Sequence, residues 1–417
     1  MSHKSIANII FILALFPYIS PFNTPFDIQP WALITVIIYV TIYILLSKES
    51  FSMPYPFWIL FFVTIYALFF YLFLLLVNIA NPLNGLRSFV GYLSISLFAF
   101  TSFKTYKYIS VKPFIISVTI WFLVGIVQYI YGPMVTDWIV PRIGSAASWG
   151  YRGASSLATE PADYARMCLF FFIFNELFFR ERKYGKFLYI VIFIALIFQI
   201  ILSFSGTGIL FIGLIGIYKF LEFILNFNKI KHRVLTFMII ISIIFAVYIF
   251  VKIPLFQRYR AGDLINKAIK DPISLIIKDP AVSLRVFNPV IAFYGGLIES
   301  YGIGFGLGTA EERMLPEWLG FWLGEERLWG GRILGGLVAA VYEIGIVGLL
   351  FVIEFLLILF RSVYYNRNFI RSALIFSSIL LLFSSFAFAS MAFPLLGYLL
   401  GIHLFYAYKN KKRRKKT

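Results

Sequence analysis

Arginine and glycine recur at one fixed spacing in two separate parts of the chain. Arg142 precedes Gly153, and Arg285 precedes Gly296, with the same interval inside each pair. Arginine can grip a phosphate or a carboxylate at two points, because its planar guanidinium presents N–H donors as a fork. Glycine lets the backbone approach a ligand closely. The repeated pattern therefore indicates anion binding in both segments.

The first segment carries a second arginine and two acids. Arg152 directly precedes Gly153, and Glu160 and Asp163 stand at the mouth of the next predicted helix. A carboxylate placed beside a reacting hydroxyl can act as a general base. The competing interpretation is a surface loop whose arginines contact lipid headgroups or acidic side chains.

The second segment contains a run of alternating glycines over 302–308. It is not a dinucleotide fingerprint, because Thr309 stands where the third glycine is required. Successive N–H groups in such a run can form an anion-binding nest, and a flexible turn is the equal alternative. The ligand contacts predicted in this segment are Tyr294, Gly296, Gly304 and Gly306.

Glu343 stands inside an apolar run that begins near residue 335, roughly 12 Å deep at about 1.5 Å per residue. An ionisable group at that depth is costly and commonly marks a site. The alternative is a structural acid, protonated or paired with an arginine. By contrast, Glu176 with Arg180 and Glu222 with Lys219 have the spacing of solvated helix pairs.

Composition defines the elements that position these residues. The chain of 417 residues is 61% hydrophobic and 13% charged, with a mean hydropathy of +0.88. A soluble protein of this size would need more polar surface, and about 20 apolar residues as a helix span a bilayer. We therefore predict one all-α membrane domain over 1–417, with about twelve transmembrane helices. The apolar runs are 5–21, 29–47, 57–79, 86–103, 112–131, 162–179, 187–204, 207–225, 233–251, 335–360, 370–388 and 392–408.

Charge sets the expected orientation of this bundle. With a cytoplasmic N-terminus, the inner side holds 23 Lys and Arg against 5 acids, and the outer side holds 14 against 14. The whole net charge of +18 is then cytoplasmic, as the positive-inside bias requires. Both termini are expected inside, and the basic tail 409–417 is expected to touch anionic lipid. No nucleic-acid partner is expected, because no folded basic domain presents the charge.

Two long connections, 132–161 and 252–334, then share the extracytoplasmic side and can build one site together. The second is expected to contain short helices at the membrane interface, including an apolar helix over 282–298 and a tryptophan-rich stretch over 316–329. The single cysteine, Cys168, lies in an apolar run and excludes a disulfide framework. No matched pair of Gly/Pro-broken helices is evident, which argues against an inverted-repeat transporter.

With both arginine segments on the outer side, the chain resembles the Wzy family of O-antigen and related polysaccharide polymerases. That family carries an Arg-x10-Gly motif in each of two large periplasmic loops. The stretch from Arg152-Gly153 to Glu160-Pro161 resembles an element of the wider O-antigen polymerase/ligase superfamily. The stretches 203–208, 302–306 after Arg285, and 342–348 fit the same superfamily, in order along the chain.

The resemblance implies a bacterial inner-membrane glycosyltransferase with a periplasmic active site. Its substrates would be undecaprenyl-diphosphate-linked glycans, joined without a cofactor or a metal, and a chain-length regulator is a possible partner. Arg285 and Arg152 would clamp the diphosphate, with Arg142 as third choice. Glu160 and Glu343 are the candidate catalytic general bases, and Asp163 is a further candidate base that could instead contact substrate.

Two alternatives are kept open. A ligase of the same superfamily carries a histidine pair, but Leu334 and Gly335 occupy those positions here, which favours a polymerase. Arg332 lies two residues away and is assigned to substrate binding, with snorkelling to the interface as its alternative. A lipid-linked oligosaccharide flippase or another transporter should instead line a membrane-spanning cavity with cationic side chains, and Arg166 is the one clear candidate inside a span.

Overall fold

A computed structural model describes residues 3–20, 28–46, 53–78, 81–140, 153–225, 279–309, 335–366, 369–387 and 390–414, with isolated positions between 264 and 276 and at 333. Within these ranges every regular element is a helix. The predicted all-α class is therefore confirmed for the part of the chain that the structure describes.

We number the α-helices of the described ranges α1 to α12. Two short 3-10 turns, Tyr106–Tyr108 and Pro133–Thr136, and one π-helical turn, Tyr294–Glu299, accompany them. The α-helices are α1 His3–Leu15, α2 Trp31–Leu46, α3 Tyr55–Leu76, α4 Pro82–Thr105, α5 Val111–Tyr131, α6 Pro161–Arg180, α7 Lys186–Ser203, α8 Gly206–Leu225, α9 Pro280–Phe293, α10 Gly336–Tyr365, α11 Phe369–Ala387 and α12 Pro394–Arg414.

Six helices in the described ranges are long and apolar enough to cross a membrane, namely α3, α5, α7, α10, α11 and α4 with its following turn. Four shorter apolar helices lie within α1, α2, α8 and α12. Each predicted apolar run coincides with one of the helices, except 233–251, which lies outside the described residues. Several helices of the chain can thus cross a bilayer, and the count of twelve stays a prediction.

The surface of the bundle is apolar where a soluble protein would be polar. Leu76 and Phe187 are each 82% exposed, and many isoleucine, leucine and phenylalanine side chains of α2, α3 and α7 are also exposed. Contiguous exposed apolar surface of this extent marks contact with lipid or protein. The environment that fits these helices is a lipid bilayer.

The helices α4 and α12 run parallel and close, because Gly91 meets Met391, Gly397 meets Ile95, and Gly401 meets Ala99. Small residues permit such close approach of backbones in a membrane bundle. We call the end where α4, α6, α8, α10 and α12 begin the loop end, and the opposite end the tail end.

The longest helix, α10, is broken. Ile344 and Gly345 have non-helical backbone angles, and Gly345 has a φ of +53° with a ψ of −126°. The apolar run 335–360 gave no indication of this break, and a single broken helix does not make the matched pair that an inverted repeat requires. The outer turns of α10, before the break, pack on α9 and on the π-helical turn.

Helix α9 begins at Pro280, where proline is well suited to a first helical position. It ends at Phe293 and continues as the π-helical turn to Glu299, so the helix predicted over 282–298 is confirmed within a few residues. The tryptophan-rich stretch 316–329 and the arginines Arg142, Arg152 and Arg332 lie outside the described residues.

Candidate functional site

The glycine run after the π-helical turn fills the break in α10. The N–H groups of Phe305 and Gly306 donate to the carbonyls of Tyr342 and Glu343, each at 2.9 Å, and the N–H of Ile346 donates to the carbonyl of Gly302 at 2.8 Å. These bonds replace the helical bonds that the break removes. The loop 302–308 is therefore a fixed part of the bundle.

Two positions at this crossing have room only for glycine. A Cβ at Gly304 would lie 2.5 Å from the carbonyl oxygen of Glu343, and Gly304 has a φ of +90°. Gly345 lies against the backbone of Gly302 with equally little room. Because the N–H groups of Gly304, Phe305 and Gly306 already donate within the protein, the structure supports neither an anion nest nor a flexible turn at this run.

The Glu343 carboxylate lies directly beside this crossing. The Ser88 hydroxyl donates to Oε1 at 2.5 Å, and the Tyr92 hydroxyl donates to Oε2 at 3.0 Å. Glu343 is 8% exposed, and both donors belong to α4. Glu343 thus ties α10 to α4 at the level of the glycine loop. Nothing in the sequence indicated that Ser88 and Tyr92 contact Glu343, because they lie far from it in the chain.

Helix α9, which carries Arg285, packs against α10. Gly296, one turn past α9, lies against the carbonyl of Val341 so closely that no side chain would fit. Tyr294 opens the π-helical turn and is partly buried. The structure therefore brings Arg285, Tyr294, Gly296, Gly304, Gly306 and Glu343 to adjoining elements at the loop end.

The predicted acids of the first loop lie at the start of α6. The Thr159 hydroxyl donates to Asp163 Oδ2 at 2.6 Å, and Asp163 Oδ1 pairs with the Arg166 guanidinium at 2.9 Å. Glu160 is the N-cap residue of α6 and is exposed. Asp163 is therefore engaged on both oxygens, whereas Glu160 has its side chain at the surface.

Gly153 is placed for packing. A Cβ on Gly153 would meet the backbone of Ser203 at the end of α7, and the next residue, Ala154, donates its N–H to Leu202 at 2.9 Å. The following serines, Ser155 and Ser156, donate their N–H groups to the buried Gln128 side chain of α5. The segment after Arg152 is thus anchored at the loop end between α5 and α7.

A buried charge network at the tail end overturns one expectation. Glu176 pairs with Arg180 at 2.7 Å, and Lys219 pairs with both Glu176 and Glu222 at 3.0 Å. Arg180 also pairs with Glu222. The side chains of Lys219 and Glu176 are only 4% and 2% exposed, so these are not the solvated pairs that the sequence predicted. The network joins α6 to α8 and carries no net charge.

Further polar groups inside the bundle are also paired. His403 of α12 is fully buried, with the Ser362 hydroxyl 2.6 Å from Nδ1 and the Ser377 hydroxyl 2.9 Å from Nε2. Cys168 is buried in α6, as expected of a packed thiol. Over the described ranges, His, Cys, Asp and Glu side chains do not gather in groups of three that could hold a metal ion.

No family model and no curated protein sequence matches this chain. The fold and the site define a class: an all-helical protein with several helices able to cross a membrane and one polar junction at the loop end. A more specific assignment rests on the chemistry of that junction.

Proposed function

We propose that the protein is a membrane glycosyltransferase that polymerises undecaprenyl-diphosphate-linked oligosaccharide units into O-antigen or a related surface polysaccharide. The observation that carries the proposal is the junction at the loop end, where α9, the helix that carries Arg285, packs against the broken helix α10. The sequence motifs of the two arginine segments support it. In this account the loop end faces the periplasm and the tail end faces the cytoplasm.

The substrate would need an apolar surface for its lipid tail and a fixed cation for its diphosphate. The exposed apolar sides of the bundle meet the first need. Arg285 meets the second, because a guanidinium can hold two phosphate oxygens at once. Charge develops on the diphosphate as it leaves, and a donor fixed at that position lowers the barrier. The scheme uses no metal.

The reaction would transfer a growing chain between two lipid carriers. A hydroxyl oxygen of the incoming unit attacks the anomeric carbon of the donor chain, and the bond from that carbon to the diphosphate oxygen breaks. The hydroxyl proton passes to a base, and undecaprenyl diphosphate departs with the electron pair of the broken bond. Among the predicted acids, Glu160 suits the base role best because its side chain is exposed at the start of α6.

Reconstitution tests the proposal. Purified protein in lipid vesicles, given lipid-linked repeat units alone, should yield a ladder of polymer lengths on a gel. Arg285→Ala should slow the reaction by about 100-fold or more, the usual effect of losing one donor to a developing negative charge. Arg285→Lys should restore only part of the rate, because an ammonium group cannot bind in a bidentate fashion.

Arg361→Ala provides the matched control. Arg361 lies near the tail end of α10 and pairs with Glu354 at 3.4 Å, so its loss should leave the ladder intact. An unchanged ladder in Arg285→Ala, at normal protein level, would remove the proposed mechanism. A wild-type protein that transfers ready-made polymer to another acceptor, but makes no ladder, would be a ligase.

A flippase or transporter remains the second candidate, because of the break in α10. Broken membrane helices form binding sites in many transporters. The buried network at the tail end argues against it, since its charges satisfy one another and leave no cationic lining for a diphosphate. Movement of a labelled lipid-linked glycan across protein-containing vesicles, without a ladder, would favour this candidate.

A further inference from the structure

Helix α9 buries two polar residues, Ser283 and Asn288, and the second begins a buried stripe that is otherwise apolar. Asn288 is 0% exposed, and Ile291 and Ala292 continue the stripe towards Gly295. The opposite side of the helix, with Val286 and Val290, is exposed. Since residues three and four apart share one helix face, Asn288 lies on the side of α9 that packs against α10.

The buried amide of Asn288 is not satisfied. Neither its Nδ2 nor its Oδ1 has a hydrogen-bond partner in the part of the chain that the structure describes. A buried amide without a partner destabilises a fold, so such a group calls for an explanation. Another buried amide of the loop end, Gln128, is bonded to Thr136, Ser155 and Ser156.

Packing contacts of α9 place Asn288 near the first turns of α10. Ala292 packs with Val338 and Tyr342, and Gly296 meets Val341. Ile333, two residues before Gly335, packs against the same cluster. Asn288 lies one helical turn, about 5.4 Å, before Ala292 on the same face of α9, so it lies close to this contact with the first turns of α10.

Gly335 is the N-cap of α10, and no side chain among the described residues caps it. The first N–H groups of a helix lack partners within the helix, and the helix dipole makes this end positive. A helix start with free N–H groups is suited to bind an anion such as phosphate. An amide and a guanidinium on the neighbouring helix would add further donors.

Arg285 supplies the charge at this place. It lies three residues before Asn288 on the same helix, so the two side chains share a face. Arg285 is partly buried. The sequence reasoning found Arg285 but gave Asn288 no role.

We propose that Asn288, Arg285 and the first turn of α10 form a subsite for one phosphate of a lipid-linked glycosyl diphosphate. The Nδ2 group of Asn288 and the N–H groups of α10 donate to phosphate oxygens, and Oδ1 of Asn288 accepts from a neighbouring sugar hydroxyl. The inference rests on the proposed function for the identity of the ligand. The chemistry of the subsite itself is phosphate binding.

The test measures binding of farnesyl diphosphate to the full-length protein in phosphatidylcholine nanodiscs, by isothermal titration calorimetry. Asn288→Leu keeps the volume of the side chain and removes its polar atoms. It should weaken binding at least tenfold while leaving the melting temperature unchanged or higher, because the unsatisfied amide is gone. Asn288→Asp should abolish measurable binding through charge repulsion.

Gln199→Leu is the matched control. Gln199 is a fully buried amide of α7, whose Oε1 accepts from the Tyr164 hydroxyl at 3.1 Å and whose Nε2 has no partner among the described residues. Its replacement should lower the melting temperature and leave the affinity for farnesyl diphosphate unchanged. Equal affinity in wild type and Asn288→Leu, or an equal loss in Gln199→Leu, would overturn the subsite.

A second arm identifies the source of the phosphate. Adding phosphatidylglycerol to the nanodiscs should leave farnesyl diphosphate binding within twofold, and strong competition would show that the subsite takes ordinary headgroup phosphate, against the proposal. Failure of the subsite and failure of the proposed function remain distinguishable. If farnesyl diphosphate binding depends on Asn288 but no polymer ladder forms, the subsite is supported and the polymerase function is contradicted. If a ladder forms but Asn288→Leu does not change binding, the polymerase function is supported and the subsite is contradicted.

Discussion

Two buried polar sites, one at each end of the bundle, differ in how their groups are satisfied. At the tail end, Glu176, Arg180, Lys219 and Glu222 satisfy one another across two helices. At the loop end, Asn288 is buried without a hydrogen-bond partner in the described ranges, beside the uncapped start of α10. A buried group that is fully paired inside the fold serves stability, whereas an unsatisfied one beside a cation indicates a ligand. The difference separates the two roles without any match to a known protein.

The largest expected effect on stability lies at the tail end. Lys219→Met leaves Glu176 and Glu222 short of a buried cation, and losing one partner of a buried pair costs about 3–5 kcal/mol. The unfolding free energy in detergent, from denaturant titration, measures it. Polymer formation per folded molecule should not change.

The control for this prediction is Lys183→Met. Lys183 pairs with Glu181 at 2.8 Å but is 24% exposed, and partly exposed pairs contribute no more than about 1 kcal/mol. Equal losses in both variants would show that the tail-end network is not the stabilising element described here. If the folded Lys219→Met protein makes no polymer, the claim that the tail-end network serves stability and not polymer formation is contradicted.

The next largest effect is expected at the crossing of the glycine loop and α10. Gly304→Ala adds a Cβ 2.5 Å from the carbonyl oxygen of Glu343, at a φ of +90°. The backbone strain alone should cost about 1–3 kcal/mol of unfolding free energy, and the contact adds to it. Polymer formation should fall with stability, because the loop fixes the broken helix beside Arg285.

Gly213→Ala is the opposite case and the control. Gly213 lies within α8, and a Cβ there would have nothing within 4 Å. Alanine in place of a helical glycine should stabilise the protein by about 0.5–1 kcal/mol. A Gly304→Ala variant as stable as wild type would mean that the loop does not pack in the break as described.

A smaller effect on stability is expected at Glu343, where two variants separate a structural role from a role as catalytic base. Glu343→Ala leaves the Ser88 and Tyr92 hydroxyls without their acceptor and should cost about 1–3 kcal/mol of stability. Glu343→Gln keeps an acceptor oxygen and nearly the same shape, so most stability and most polymer formation should remain. If Glu343→Gln folds like wild type but makes no ladder, the carboxylate is the base and the tie to α4 is secondary.

Much of the fold could be predicted from the sequence. Hydropathy alone located the helices, and Pro280 marked the start of α9, because apolar runs and proline act locally. The sequence did not indicate the break in α10, although the stretch 342–348 forms a motif. One glycine in an apolar run does not distinguish a broken helix from an unbroken, packed one. Only the loop 302–308, which arrives from elsewhere in the chain, makes the break stable.

The site was predicted less completely, for the same reason. Arg285 was found because arginine in an apolar chain is conspicuous, but the donors to Glu343 lie on α4, and no local pattern links them. Glu176 and Arg180 looked like a solvated pair one turn apart. Their burial depends on Lys219 and Glu222 of α8, which the spacing within α6 cannot reveal.

The central claim is that the loop end faces away from the cytoplasm, on the side of the membrane where lipid-linked glycans are joined. The most direct test labels single cysteines with a membrane-impermeant maleimide on intact spheroplasts, in a Cys168→Ser background. Tyr301→Cys, at a loop-end position that is 92% exposed, should be labelled from outside, whereas Lys107→Cys at the tail end should react only after lysis. Labelling of Lys107→Cys but not Tyr301→Cys in intact cells would contradict the account.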